Sequence, residues 1–189
     1  MLFATYIAVS IIPLLLFSSV IFKTTEHYYI EERKKELLNQ ANIFSGHITI
    51  SDYLYDENKK SEFDEDIENT STQGGYRTIV TDAMGTVVND SNRTETGKMY
   101  LIPEVIAALD EKDVANVQPN GCIYAVASIV NEAGQKIGTV LISDMPSDIA
   151  EKVSAIRHQV YILMGVMILV IALVVFGFAH LIADPLKKM

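Results

Sequence analysis

Five side chains of mixed type, Tyr76, Arg77, Asp90, Lys98 and Tyr124, carry groups able to contact a small polar molecule, with a surface or hairpin role as the competing reading of each. A guanidinium and an ammonium suit anionic groups, a carboxylate suits cationic ones, and the two phenols join an apolar ring to a hydrogen-bonding tip. A second set, Glu62, Asp64, Glu65, Asp66 and Glu68, crowds carboxylates into one short stretch. Hard cations such as calcium or magnesium take oxygen ligands of this kind, and the same charge attracts a cationic peptide. The stretch lacks an Asp-x-Asp-x-Asp-Gly loop, so a solvated acidic face is the competing reading. Nothing nominates a catalytic residue or a cofactor held by this chain: there is no Gly-x-Gly-x-x-Gly, phosphate-loop, His-Glu-x-x-His or Gly-x-Ser-x-Gly pattern. Cys122 is the sole cysteine, which excludes an intrachain disulfide and a cysteine-based zinc site.

These candidates all lie between two charge-free apolar runs, Leu2 to Phe22 and Val160 to Ala179. At 1.5 Å rise per residue, each run makes a helix of roughly 30 Å, the hydrocarbon thickness of a bilayer. The first exceeds the h-region of a signal peptide, has no basic residues before it and no Ala-x-Ala-like cleavage site after it, so it reads as a retained anchor. Between the runs, residues 23–159 carry 13 of the 15 basic and 23 of the 24 acidic residues, a balance of −10. That surface repels nucleic acid and favours cations or cationic peptides. Counting Lys and Arg near the spans places this loop inside the cell, but a loop this long translocates largely regardless of its charge. An extracytoplasmic loop in a cell membrane protein is therefore open to this chain, and a family resemblance carries part of that expectation.

The loop has one domain's worth of pattern. Ile30, Leu37, Ala41, Phe44 and Ile48 recur at helical spacing, so the first span is expected to continue as a long amphipathic helix. Asp56 to Gly75 is polar and reads as a mobile connection, with a short helix around Phe63 and Ile67. Then strands follow: Tyr76 to Thr81 with Thr86 to Asn89, and Ile123 to Val130 with Ile137 to Ser143. Each pair is joined through an Asp or Asn placed three residues before a Gly, the signature of a type I turn closed by a positive-φ glycine. Pro103 to Leu109 is a short helix with Pro in its first turn, and Val114 to Gln118 a fifth strand. The expected fold is α+β, an antiparallel five-stranded sheet with a long N-terminal helix and its helices collected on one side. Beyond Pro146, Ile149, Val153 and Ile156 continue at helical spacing into the second run, which makes them candidates for transmitting a displacement along a rod.

With these strands and turns in place, the chain resembles the amino-terminal part of bacterial sensor histidine kinases of two-component systems, the type with an extracellular PAS-like, single Cache-like domain. The resemblance rests on Arg77 to Ser91, Gly97-Lys98, Pro103-Glu104-Val105 and Tyr124 to Ser143, and on Ile182 to Met189, where Pro185 is similar to the opening proline of a HAMP linker. It implies a first transmembrane helix over 1–22, a sensor domain over 23–159, a second transmembrane helix over 160–182 and the start of HAMP at 183–189. It further implies a homodimer, an unidentified small ligand on the concave sheet face and the segment linking its hairpins, where Tyr76, Arg77, Asp90, Lys98 and Tyr124 are the candidate contacts, and a response regulator engaged through cytoplasmic parts. His27, His47, His158 and His180 match no phospho-accepting position of that family, so the kinase chemistry, with its ATP and Mg, is expected outside these residues. A chemoreceptor or cyclic-nucleotide enzyme built on the same sensor, or a two-span accessory binding protein, stays open on the sequence.

Overall fold

The helical spacing of Leu37, Ala41, Phe44 and Ile48 is realised in the computed structural model, which describes residues 2–51, 57–144 and 146–186. All four lie at most 2 % exposed on one face of α1 (Leu2–Ser51). The chain continues through α2 (Glu57–Gly74), β1 (Tyr76–Asp82), β2 (Val87–Asp90), α3 (Pro103–Asp110), β3 (Val114–Val117), β4 (Ile123–Val130), β5 (Lys136–Asp144) and α4 (Pro146–Leu186). Five strands form one sheet, antiparallel as the strand and turn pattern led one to expect, and the structure adds their order, β2-β1-β5-β4-β3. Both hairpin turns work as read. Asp82 accepts from the amides of Met84 and Thr86, each at 2.8 Å, and Gly85 takes φ 79°. Asn131 accepts from Ala133 at 3.1 Å and Gln135 at 2.8 Å, with Gly134 also at φ 79°.

Alternation along the strands sends successive side chains to opposite faces. Ile79, Leu141 and Val126 stand in register across β1, β5 and β4, and with Val87 they bury Val105 and Ala108 of α3 beneath Tyr100, Ile102 and Leu109. Their neighbours Thr78, Val80, Val140, Ile142, Ala125 and Ala127 are all fully buried on the other face. There α1 and α2 close the sheet: Ser45 Oγ donates to the Ser128 carbonyl at 2.5 Å, and Ser71 Oγ lies 2.7 Å from Thr78 Oγ1. The helices thus cover both faces and are not collected on one side. The short helix α3 is apolar enough, through Val105 and Ala108, to need a face of its own.

The polar stretch expected to be a mobile connection is, over the residues described, the 18-residue helix α2. Phe63, Ile67 and Ser71 fall one turn apart, which gives a narrow buried stripe on an otherwise charged helix. Ile67 is fully buried, and the Phe63 ring meets Phe44 edge-on with centroids 6.5 Å apart. Glu65, Asp66, Asn69, Thr72 and Gln73 of the same helix are exposed, so its composition resembles that of a loop.

The chain divides into two units, residues 30–150 and residues 1–29 with 151–189. The first holds the sheet and its covering helices. In the second, the Arg157 guanidinium sits 5.0 Å above the Phe22 ring, a cation–π contact. Among the described residues one helical segment, Ser154–Val174, is long and apolar enough to cross a membrane, with mean hydropathy 1.9 and none of it buried. It begins ahead of Val160, where the sequence places the second span. In the first apolar run, the side chains of residues 1–12, 14 and 15 lie outside the described residues.

Candidate functional site

On the α3 side of the sheet, Arg77 of β1 reaches the end of β2 and grips Asp90 with two parallel bonds, Nε to Oδ1 at 2.8 Å and Nη2 to Oδ2 at 2.6 Å. Nη2 also donates to Thr94 Oγ1 at 2.7 Å. The chain past β2 wraps around the same carboxylate: the amides of Asn92, Thr94 and Glu95 donate to it at 3.0, 2.8 and 2.9 Å, and Thr94 Oγ1 lies 3.1 Å from Oδ2. Arg93, in this wrap, is the one non-glycine residue of positive φ, 56°, among those described. Burial would push the Asp90 carboxyl up, but Arg77 and the three amides outweigh it and hold the group well below the usual carboxylate range. Asp90 in turn raises the Arg77 guanidinium. The pair organises the loop, so neither charge stands free for a ligand.

Beside it lies a row of Cα partners across three strands, Arg77, Ser143 of β5 and Tyr124 of β4. Burial, then Tyr100 on the connector between β2 and α3, raises the half-buried Tyr124 phenol above its ordinary value. Lys98 is exposed and donates to the Thr94 carbonyl at 3.0 Å while pairing with Glu95 at 3.1 Å. Arg77, Asp90 and Tyr124 therefore share one sheet face, with Lys98 joined to it through Thr94. Tyr76 does not, because the adjacent position on a strand points the other way; burial raises its phenol, offset in part by the nearby Arg33. It lines, with Ser71, Arg77 and Ser91, a small cleft of about 190 Å³.

The acidic set takes a different place. Asp64, Glu65 and Glu68 line one wall of an open groove of about 790 Å³ between α2 and the β2 edge, faced by Asn89, Arg93 and Thr96. Asn89 Nδ2 donates to Asp64, and Arg93 pairs with Glu68 at 2.5 Å. Asp66 is exposed and lines no wall of the groove. Among the described residues no three His, Cys, Asp or Glu side chains are grouped to hold a metal ion. The side chains of Glu62, Ile149, Val153 and Pro185 lie outside the described residues, while Ile156 is half-buried on α4.

Sequence reasoning missed one constellation. Arg33 Nε donates to Asp144 Oδ2 at 2.6 Å, with side chains only 9 % and 2 % exposed. Arg33 also pairs with Glu36 at 2.8 Å and donates to the Gly74 carbonyl at 3.3 Å. Burial works against its charge, yet Asp144 and Glu36 together raise the guanidinium above its already high value. Among the described residues Asp144 Oδ1 is buried without a hydrogen-bond partner. The signal was there: Arg33 precedes Leu37, Ala41, Phe44 and Ile48 on the buried stripe, but its neighbours Glu31, Glu32, Lys34 and Lys35 gave it the look of a solvated charge run.

A long N-terminal helix on a five-stranded antiparallel sheet, closed on its other face by a short helix, is the PAS-like, Cache-like sensor-domain fold. Among solved structures the chain is similar to the sensor domain of DcuS from E. coli, with TM-score 0.52 and 16 % identity over 64 % of this chain and 97 % of that one. It is also similar to an extracellular ligand binding receptor from Desulfohalobium retbaense (TM-score 0.51, 15 % identity, 69 % of this chain and 25 % of that one). A third is the extracellular domain of rpHK1S-Z16, assigned as a histidine kinase (TM-score 0.50, 10 % identity, 68 % of this chain and 58 % of that one). No family model matches the chain, and no curated protein matches it.

Proposed function

We propose that this chain is the extracytoplasmic sensing module of a membrane-bound two-component histidine kinase, acting as a homodimer and transmitting ligand binding through α4 and a HAMP linker to cytoplasmic autophosphorylation. The observation that carries the reading is a sensor-domain fold over residues 30–150 whose last strand runs directly into a helix with an apolar, unburied segment at Ser154–Val174. A soluble domain gains nothing from such a segment, whereas a receptor needs it to hold its sensor at the membrane. The DcuS and rpHK1S-Z16 likenesses support the class.

In this reading a small ligand is recognised on the sheet face of Tyr124 and Tyr100, beside the Arg77–Asp90 pair that shapes it, and the acidic groove favours cations or cationic peptides. ATP, Mg and the response regulator belong to cytoplasmic parts beyond the sensor. A tenfold change in output needs only about 1.4 kcal/mol of differential binding between two states. Topology is the first test. Met84 is 76 % exposed on the β1–β2 turn; as Met84→Cys in a Cys122→Ser background it should react with a membrane-impermeant maleimide in intact cells. Labelling only after lysis defeats the extracytoplasmic assignment.

A further inference from the structure

We propose that the Arg33–Asp144 ion pair is a clasp that opens in the native protein, releasing the start of the sensor part of α1 from the end of β5 without unfolding the sheet. Three observations carry it.

The first is position. Asp144 is the last residue of β5, two before α4 begins at Pro146, and Arg33 lies near the start of the part of α1 that belongs to residues 30–150. The pair thus joins the two chain segments that run on out of this unit. Through the Gly74 carbonyl, Arg33 also holds the end of α2, so three elements meet at one guanidinium.

The second is incomplete satisfaction. A buried ion pair must recover the desolvation of both charges through close geometry and a full set of hydrogen bonds. Here one carboxylate oxygen is bonded and the other, Oδ1, is buried with no donor among the described residues. Such a closed state keeps part of the desolvation cost uncompensated. An open state rehydrates both charges, so the opening step is easier than for a saturated pair.

The third is the alternative partner. Glu36, one turn along α1 and 67 % exposed, already bonds Arg33 Nη1 at 2.8 Å. When Asp144 lets go, the guanidinium keeps a carboxylate on its own helix, which lowers the barrier to release. The clasp stands without the receptor reading; only its use as the step that hands a ligand-induced change to α4 rests on that reading.

Thiol reactivity of the intact chain in lipid nanodiscs, in a Cys122→Ser background, tests it. Leu37→Cys reports the helix face one turn from Arg33, and Ala127→Cys reports the sheet beneath the far part of α1; both positions are at most 1 % exposed. Local opening makes Leu37→Cys react at least tenfold faster than Ala127→Cys. Asp144→Asn should speed the first reaction and leave the second unchanged. The apolar pair Arg33→Met/Asp144→Leu should slow it about tenfold or more, at an undiminished urea midpoint. Equal rates at the two thiols, or a Leu37→Cys rate unmoved by Asp144→Asn, overturns the clasp, and the same holds if a folded apolar-pair variant reacts as fast as the parent. If the apolar pair prevents folding, the parent ratio and Asp144→Asn still decide. Failure of the topology test in cells would remove the receptor and leave these rates as predicted.

Discussion

Two arginine–aspartate pairs sit at the same end of one sheet, on opposite faces, and they are built to different standards. Arg77 and Asp90 meet through two parallel bonds, and three backbone amides complete the carboxylate. Arg33 and Asp144 meet through one, with Oδ1 left over. The first pair folds a loop: Asp90 is the centre around which residues 92–95 turn. The second spans 111 positions of sequence and fastens the strand next to α4 to the helix that precedes the sheet. A protein that needs a rigid sensor face and a yielding joint gains from that division.

The comparison breaks most readily on single truncations. Removing one partner of a buried ion pair typically costs about 3–5 kcal/mol, because the other charge is left uncompensated. Asp90→Ala should fall in that range and cost more than Asp144→Ala, since Arg33 retains Glu36 and the Gly74 carbonyl whereas Asp90 leaves behind Arg77 and three amides. Urea unfolding followed by tyrosine fluorescence measures both; the chain has nine Tyr and no Trp. An Asp144→Ala loss equal to or larger than that of Asp90→Ala would erase the distinction between the two pairs.

Apolar replacement sharpens the contrast. Exchanging a buried pair for hydrophobic residues is often neutral or stabilising when nothing else depends on it. Arg77→Met/Asp90→Leu cannot be neutral, because the amides of Asn92, Thr94 and Glu95 lose their acceptor, and unsatisfied donors cost about 1–3 kcal/mol each when they stay buried. A loss of at least about 2 kcal/mol in the same unfolding assay is expected. No loss would mean that the loop finds other partners and that Asp90 does not organise it.

Acid should find the Asp90 pair as well. The folded carboxyl is held below its unfolded range, near pH 4, so its stabilisation is complete above that pH and is lost as pH falls toward the depressed folded value. The parent's stability should therefore decline below about pH 4 more steeply than that of Asp90→Asn, which has no proton to take up at this position. Parallel declines would assign the acid sensitivity to other carboxylates.

Much of this architecture was legible in the residues. Strand and turn signals are local: Asp82 and Asn131 bond amides two and four positions on, and Gly85 and Gly134 supply positive φ, so chemistry read within six residues predicts the hairpins. The helix α2 was illegible because its apolar stripe is as narrow as Phe63 and Ile67, while its charge content matches that of a loop. The site divided along the same line. Arg77 and Asp90 are legible as polar residues in or beside the first hairpin, but not as a pair, and Tyr76 falls in the same group although alternation turns it away. Arg33 and Asp144 escaped, because a contact across 111 positions leaves no local trace except an arginine set on an otherwise apolar stripe.

The smallest expected effect separates an ion pair from the backbone beneath it. Arg93 bonds Glu68 across the groove, but the two side chains are 78 % and 43 % exposed, and such pairs contribute about 0–1 kcal/mol. Its φ of 56° lies in the left-handed region, where a side chain costs about 1 kcal/mol relative to glycine. Arg93→Ala loses the pair and keeps the strain, so it should destabilise slightly; Arg93→Gly loses the pair and sheds the strain, so it should match or exceed the parent. If Arg93→Gly is instead the less stable variant, the Arg93–Glu68 contact holds α2 to the edge of the sheet more firmly than its exposure allows, and the groove wall is as rigid as the Asp90 loop beside it.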